Sequence, residues 1–384
     1  MSYMKILVLG CGNIGSVAAK DFAENARSVE VVIADKESVK ARDVAERIGL
    51  DNVSWMRLDA SNTAQLVNVL KNFDLAMGFL PGKLGYGLAK ACIKAERDLV
   101  DVSFMSENPL ALNEEATRAG ITIVPDCGLA PGISNILVGN ALSRLDSVQD
   151  VHITVGGLPE KATPPLDYTI TWSPESLIDE YSRRARIVRD HEEIEVEALS
   201  GLETVVFPEV GELEAFYTDG LRTLLSTVEN ARSVWEKTLR YQGHAEKIKL
   251  LKELGFFDEK PVEIDAFSLP PRRLTAKLLE LKLRKPETED IVLMKVEVCG
   301  FEENKRIRYV YRLLDRYDQE RGITAMARTT AFPASIVAQL TLKKLIVQKG
   351  VVPPEKLGMK KELFDKILTA LEKQGIRIRE AIVD

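Results

Sequence analysis

The residues with the clearest chemical arrangement lie near the start of the chain, where Gly10, Gly12 and Gly15 are spaced as Gly-Cys-Gly-Asn-Ile-Gly directly after the apolar run Lys5-Ile-Leu-Val-Leu9. In a strand-to-helix turn each glycine has its own reason: Gly10 permits the tight turn, Gly12 lets backbone approach a pyrophosphate, and Gly15 allows helix to pack on strand. Asn13 and Ile14 then open a helix whose unclaimed N–H groups attract phosphates. A second apolar run, Val29-Glu-Val-Val-Ile-Ala34, ends at Asp35, 20 residues beyond Gly15. A carboxylate there accepts hydrogen bonds from an adenosine ribose and repels a 2′-phosphate. The pattern predicts dinucleotide binding, with NAD as cofactor in preference to NADP. Lys36 works against that preference, since an ammonium can turn toward a 2′-phosphate, and the bland alternative is that the glycines merely build a turn.

Such residues must be positioned by an alternating chain. After Asp35 a helical pattern over Ser38–Ile48 leads to a strand at residues 53–58, closed by Asp59. Helix 63–72 precedes strand 75–79, helix 86–95 precedes strand 99–102, and helix 111–119 precedes strand 121–124. Strands alternating with helices predict a parallel, doubly wound α/β sheet of the Rossmann type. Ligands of such sheets lie beyond the carboxyl ends of the strands. The candidates there are Asp35, Asp59, Leu80 and Pro81 for the cofactor, then Asp101-Val-Ser103 and Asp126-Cys-Gly128. For any single aspartate, a helix cap or turn is the competing reading.

From about residue 148 the grammar changes. Residues 151–155, 168–172, 193–199, 204–207, 291–299 and 306–314 alternate or run apolar, and helices are expected at 174–180, 243–254 and 273–283. This predicts a second α+β domain with a mixed sheet. A strongly apolar helix at 331–348, the pair Pro353-Pro354, a charged helix at 360–374 and a final strand at 376–382 follow. The expected organisation is a discontinuous nucleotide-binding domain, residues 1–130 and 330–384, and a substrate and dimerisation domain, residues 131–329.

Composition sets the outer bounds. At 384 residues the chain exceeds what one core usually fills. Hydrophobic content of 45% and charged content of 29% describe a soluble globular protein of enzyme size, and a net charge of −6 argues against nucleic acid as a partner. Cys11, Cys92, Cys127 and Cys299 are scattered without metal-ligand spacing, so no metal is expected and reduced thiols are the simplest reading. The chain enters its first strand almost at once and holds no apolar run of membrane-span length. A cytoplasmic protein with a small-molecule partner, no membrane association and a homodimeric assembly through the second sheet is expected.

Several stretches resemble the saccharopine dehydrogenase family over nearly the whole chain. Their carriers are residues 10–15, Asp126-Cys-Gly-Leu-Ala-Pro-Gly-Ile-Ser-Asn135, Gly156-Gly-Leu-Pro159, Tyr168, Trp172-Ser-Pro174, Leu213-Glu-Ala-Phe-Tyr217, Thr238-Leu-Arg-Tyr-Gln-Gly-His244 and Ala325-Met-Ala-Arg-Thr-Thr-Ala-Phe-Pro333. The resemblance implies an NAD-dependent oxidoreductase acting at a CH–N centre of an amino acid. Saccharopine enzymes must grip a glutamate arm and place an arginine after a Tyr-Pro-Asn sequence. Here the matching stretch is Tyr217-Thr-Asp-Gly220, with glycine in that place and Arg222 shifted in register, and Gly243-His244 stands where the reductases read Gly-Phe. Both departures look like L-lysine 6-dehydrogenase, whose product cyclises to 1-piperideine-6-carboxylate. A saccharopine-type or polyamine-related dehydrogenase is the alternative enzyme, and a non-catalytic NAD-binding sensor is the alternative outside enzymes.

Amine oxidation needs an anchor for the amino acid and a base for its nitrogen. Arg240 is the expected carboxylate anchor, against the alternative of a structural ion pair. Of the three histidines, His152 sits in an apolar strand and His191 in a charged run. His244, at a helix start after Arg240, is held neutral and is one candidate base; Asp101, beyond a sheet strand, is the other. Trp172 and Tyr168 either wall the substrate or fill the second core, and Thr330 is expected to close over the substrate.

Overall fold

The computed structural model describes residues 4–285 and 288–383. The chain forms two compact units, residues 1–143 with 327–376 and residues 144–326 with 377–384.

The first unit is built on a seven-stranded parallel sheet. Its order is Gly350–Val351, Thr122–Val124, Asp98–Asp101, Leu75–Gly78, Lys5–Leu9, Glu30–Asp35, Val53–Arg57. The chain winds outward from Lys5–Leu9 to Val53–Arg57 and then returns to Leu75–Gly78 on the other side of the first strand. That reversal creates the switch point beside the carboxyl end of Lys5–Leu9. Four of the five residues of this central strand are buried, as a parallel strand covered on both faces requires. One core cluster joins Leu7, Leu9, Leu66, Leu88, Leu99 and Ile123.

The second unit holds a nine-stranded mixed sheet. Its main path runs Glu203–Phe207, Gly211–Tyr217, Ser233–Arg240, Ser147–Pro159, Asp290–Glu302, Lys305–Arg316, Ile378–Val383. Along that path only Ser233–Arg240 and Ser147–Pro159 are parallel. Ala185–Arg189 and Glu192–Val196 branch from Ser233–Arg240. Leu177, Ile178 and Tyr181 of helix Pro174–Ser182 pack with Phe216, Tyr168, Ala245 and Ile248 into the core that positions the unit's polar groups.

The α/β class, the Rossmann sheet and the mixed second sheet agree with the sequence reading. The domain limits differ at both ends. Helix Ile133–Leu142, assigned above to the second domain, belongs to the first unit. A Cβ on Gly139 would overlap the Glu355 carbonyl and one on Gly358 that of Ile136, so this helix meets Pro354–Gly358 backbone to backbone. Asn135 also donates to Glu355 at 3.1 Å. The last strand, assigned to the first domain, instead pairs antiparallel with Lys305–Arg316 in the second sheet. Residues 168–172 are not a strand: the Ile170 N–H and the Thr169 hydroxyl donate to the Leu283 carbonyl at a helix end. Helix Ala325–Leu342 starts six residues before the expected 331 and carries Pro333 inside it. Asp290 draws the start forward by accepting the N–H groups of Ala325 and Met326 at 2.6 and 2.9 Å.

Candidate active site

In the first unit the glycine turn is assembled as its spacing requires. Gly10 takes φ +92°, and a Cβ on it would lie 2.5 Å from the Phe79 carbonyl oxygen. A Cβ on Gly15 would collide with the Gly10 carbonyl, whereas one on Gly12 would meet nothing within 4 Å. No protein contact therefore demands glycine at 12, which fits a backbone surface kept bare for a pyrophosphate. Helix Asn13–Asn25 has no side-chain cap and no acidic residue in its first turn, so neither competes with a phosphate for its opening N–H groups. Leu80 borders the turn, and Pro81 precedes helix Gly82–Ala95.

Asp35 braces the same turn. Its carboxylate accepts the Cys11 N–H at 3.2 Å, the Cys11 thiol at 3.2 Å and the Glu37 N–H at 3.0 Å. Burial raises the Asp35 pKa, but the bonds from Glu37 and Cys11, with the charge of Lys40, outweigh it and hold the group below its ordinary value. The Cys11 thiol is pushed up to about 12, first by burial and then by Asp35, and so remains a donor. Asp59 is an exposed turn residue whose carboxylate accepts the Ser61 N–H and hydroxyl at 2.9 and 2.7 Å. If Asp35 binds the adenosine ribose of NAD, Asp35→Ala should raise the Michaelis constant for NAD about tenfold or more, the worth of a charge-assisted hydrogen bond. It should also improve relative use of NADP. An unchanged ratio of the two cofactors in steady-state kinetics would remove Asp35 from the ribose.

Asp101 ends strand Asp98–Asp101 and is fully buried. One carboxylate oxygen accepts the Ser103 N–H at 3.1 Å and the other the Ser103 hydroxyl at 2.8 Å. The carboxylate fits there because Gly78, on the neighbouring strand, has no Cβ to obstruct it. Neither Gly78 nor the positioning role of Ser103 is marked by a local sequence pattern. Thr330 also lies in this unit, its methyl group 3.1 Å from where a Gly128 Cβ would stand. Burial, followed by the Asp101 charge, pushes the Cys127 thiol up, consistent with a thiol that takes no nucleophilic part. No cluster with metal-binding composition occurs among the described residues.

In the second unit Tyr168, Trp172, Arg240 and His244 come together. Strand alternation puts Glu236, Thr238 and Arg240 on one face of Ser233–Arg240. Arg240 donates from Nε to the Tyr181 hydroxyl at 3.1 Å, from one terminal nitrogen to the Leu239 carbonyl at 2.9 Å, and from the other to Glu180 at 3.1 Å. Its guanidinium carbon lies 4.6 Å from the Tyr168 ring centroid, and the Trp172 indole N–H donates to the Tyr168 hydroxyl at 3.0 Å. The other Glu180 oxygen accepts the Thr238 hydroxyl at 2.9 Å, and Thr218 lies 2.8 Å from that hydroxyl. Arg240 thus makes a buried ion pair, and two of its five N–H groups have no hydrogen-bond partner among the described residues.

His244, the first residue of helix His244–Glu253, has both ring nitrogens engaged. Nδ1 lies 2.7 Å from the Leu166 carbonyl, an acceptor only, so Nδ1 carries the proton and Nε2 accepts from the Tyr181 hydroxyl at 2.8 Å. Burial and then the Arg240 charge lower its pKa to about 3. The ring is neutral, as expected, and its Nε2 lone pair is used by the Tyr181 hydroxyl. A group whose folded pKa is depressed adds stability above its unfolded value and loses it as pH falls toward the folded value. His244→Gln should therefore show a smaller loss of stability than the parent between pH 6.5 and pH 5, by roughly 2 kcal/mol. Parallel urea melts at the two pH values read the difference, and identical losses in both proteins would mean that His244 is protonated normally.

The resembling stretch Thr238–His244 marked Arg240 and His244 but not their partners. Glu180 and Tyr181 lie about 60 residues from them, and only the two-residue period of Ser233–Arg240 could have drawn attention to Glu236.

The family model for the saccharopine dehydrogenase NADP binding domain matches residues 6–124, and that for the saccharopine dehydrogenase C-terminal domain matches residues 128–376. The Schizosaccharomyces pombe saccharopine dehydrogenase [NADP(+), L-glutamate-forming] is 22% identical over 99% of each chain. The Synechocystis carboxyaminopropylagmatine dehydrogenase is 22% identical over 98% of each chain. An Arabidopsis thaliana α-aminoadipic semialdehyde synthase is 25% identical over 98% of this chain, which spans 44% of that longer protein. In fold the chain is similar to apo saccharopine dehydrogenase (L-Glu forming) from Saccharomyces cerevisiae, with TM-score 0.80 at 20% identity over 99% of this chain and 100% of that one. With a pyridine-nucleotide-binding domain in its first unit, the chain belongs to the saccharopine dehydrogenase family of oxidoreductases.

Proposed function

We propose that the chain is an NAD-dependent L-lysine 6-dehydrogenase. L-lysine and NAD yield 1-piperideine-6-carboxylate, ammonia, NADH and a proton, the ring closing after the ε-nitrogen is lost. Gly220 carries this reading. A Cβ there would overlap the Glu236 carboxylate, so position 220 offers no cation to the glutamate arm of saccharopine and presents a carboxylate nearby instead. A shorter amino acid avoids that like-charge encounter. The relatives named as dehydrogenases of saccharopine and of carboxyaminopropylagmatine support a dehydrogenase of nitrogen-rich amino acids or polyamines.

Bound nicotinamide supplies the acceptor for the hydride that leaves the nitrogen-bearing carbon. Gly10, Gly12, Asn13, Ile14 and Gly15 would hold the pyrophosphate, and Asp35 the adenosine ribose. Asp101, oriented by Ser103, takes the proton of the substrate ammonium. Within the second unit, Tyr181 holds the Arg240 guanidinium, a group that suits a carboxylate, and His244 holds Tyr181. Tyr168 stacks beneath the guanidinium.

L-lysine labelled with ¹⁵N at the ε position tests the regiochemistry. The reading predicts labelled ammonia in step with NADH, and unlabelled ammonia would place oxidation at the α-carbon. A second reading, NADP-linked saccharopine oxidation, is favoured by the named activities of the relatives. Lys36 and Lys40 stand near Asp35 in sequence, and Lys40 reaches it electrostatically.

A further inference from the structure

In the second unit, residues 258–268 are exposed one after another and form an arm. Val262–Ile264 and Phe267–Leu269 pair only with each other, as an antiparallel ribbon turned by Asp265 and Ala266, with Asp265 at φ +53°. Pairing of Ile264 with Phe267 and of Val262 with Leu269 puts four apolar side chains on one face of the ribbon, with Glu263 and Ser268 on the other. That alternation belongs to a ribbon whose apolar face has a partner, and a bare two-stranded hairpin is marginal in water. Yet Val262, Ile264 and Phe267 are 49%, 62% and 78% exposed. Helix Pro271–Leu283, which follows directly, is apolar on two opposite sides. Ala276, Leu279 and Leu283 join the core of the unit. Leu274, Leu278 and Leu281, at four- and three-residue spacing, form an outer stripe that is 44–65% exposed.

The two surfaces are opposite in charge. The arm holds Asp258, Glu259, Glu263 and Asp265 against Lys260, and the helix holds Arg272, Arg273, Lys277 and Lys282 against Glu280. Arg272 pairs with Asp179 and Glu259, and Lys277 with Glu280. Asp265, Arg273 and Lys282 have no ion pair among the described residues. An acidic apolar ribbon and a basic apolar stripe complement each other, whereas ribbon on ribbon or stripe on stripe would bring like charges together. Within one chain they are neighbours in sequence and neither covers the other. We propose that two copies of this chain clasp each other about a twofold axis, the ribbon of each lying on the leucine stripe of its partner. A twofold operator makes both contacts at once. The six exposed side chains bring roughly 100 Å² each. The two contacts therefore cover about 600 Å² of apolar surface per copy, close to the ~800 Å² per partner of a stable interface before the flanking charged residues are counted. Self-association is thereby assigned to the arm and the helix instead of the nine-stranded sheet.

Sedimentation equilibrium of the full chain across a dilution series reads the assembly directly, and the parent should be a dimer. Phe267→Glu places a carboxylate on the arm and Leu278→Lys an ammonium on the stripe. Both positions are exposed, so the circular dichroism of each variant should match the parent. Either substitution spoils both contacts of a dimer, at about 10-fold per contact, and should raise the dissociation constant about 100-fold. An equimolar mixture of the two variants should regain a heterodimer, because one contact is then intact and the other sets the new carboxylate against the new ammonium. If Leu278→Lys fails to fold, Leu281→Lys, at the more exposed end of the stripe, gives the same comparison. A monomeric parent would overturn the clasp. Dimers of parental affinity in either folded variant would also overturn it, by placing self-association on another face. So would variants that separate alone and stay separate when mixed.

Discussion

Arg240→Met should lower the stability of the second unit by about 3–5 kcal/mol, the usual cost of breaking a buried ion pair from one side. Arg240 is 3% exposed and is the cation bonded to Glu180. Methionine keeps the length and the apolar stem but leaves Glu180 without its cation, near Glu236. It also frees the Tyr181 hydroxyl of the donor at 3.1 Å that orders it toward His244. The double variant Arg240→Met with Glu180→Leu removes both charges and is expected to recover most of the loss. That recovery separates the two roles of Arg240. Chemical denaturation should show the double variant close to the parent, while the proposed role of Arg240 as carboxylate anchor predicts that lysine affinity stays weakened. Full recovery of lysine use would make Arg240 a purely structural partner of Glu180.

Asp101→Asn should reduce kcat by about 10²–10⁴, the usual contribution of a positioned general base. Asparagine has nearly the same shape, and its carbonyl oxygen can still accept from Ser103, so the fully buried position should tolerate it. NAD affinity should hold, since Asp35 and the glycine turn are untouched. Because only proton removal is impaired, activity should rise with pH as the substrate amine loses its proton in solution. Near-parental kcat in Asp101→Asn would move the base elsewhere. His244 is a poor replacement while Tyr181 and the Leu166 carbonyl hold its two nitrogens.

The parts of this protein legible in its sequence are those fixed by short-range periodicity. Lys5–Leu9, the glycine turn and Asp35 lie within one strand–helix–strand unit, and the alternation that follows dictates a parallel sheet. Resemblance extended the reading to Arg240, Tyr168 and Trp172. Placement of elements that depend on distant partners was not legible. Tyr168 and Ile170 alternate with threonines as in a strand, yet their backbone is tied to the end of helix Pro271–Leu283, more than 100 residues away. Strand Ile378–Val383 has the composition to extend either sheet, and pairing with Lys305–Arg316 decides the matter. The surroundings of His244 were only partly legible for a similar reason. Neutrality was foreseeable from burial and a neighbouring arginine, but the bond from Tyr181 that occupies its lone pair comes from a helix 63 residues earlier.

The central claim is that this family member oxidises free lysine and not saccharopine. NADH formation at mildly alkaline pH, with NAD and either L-lysine or saccharopine as sole substrate, tests it most directly. Turnover with lysine and none with saccharopine is the predicted result, and it would give Gly220 its meaning. Turnover with saccharopine and none with lysine would contradict the account, requiring a cation other than a residue at 220 to hold the glutamate arm.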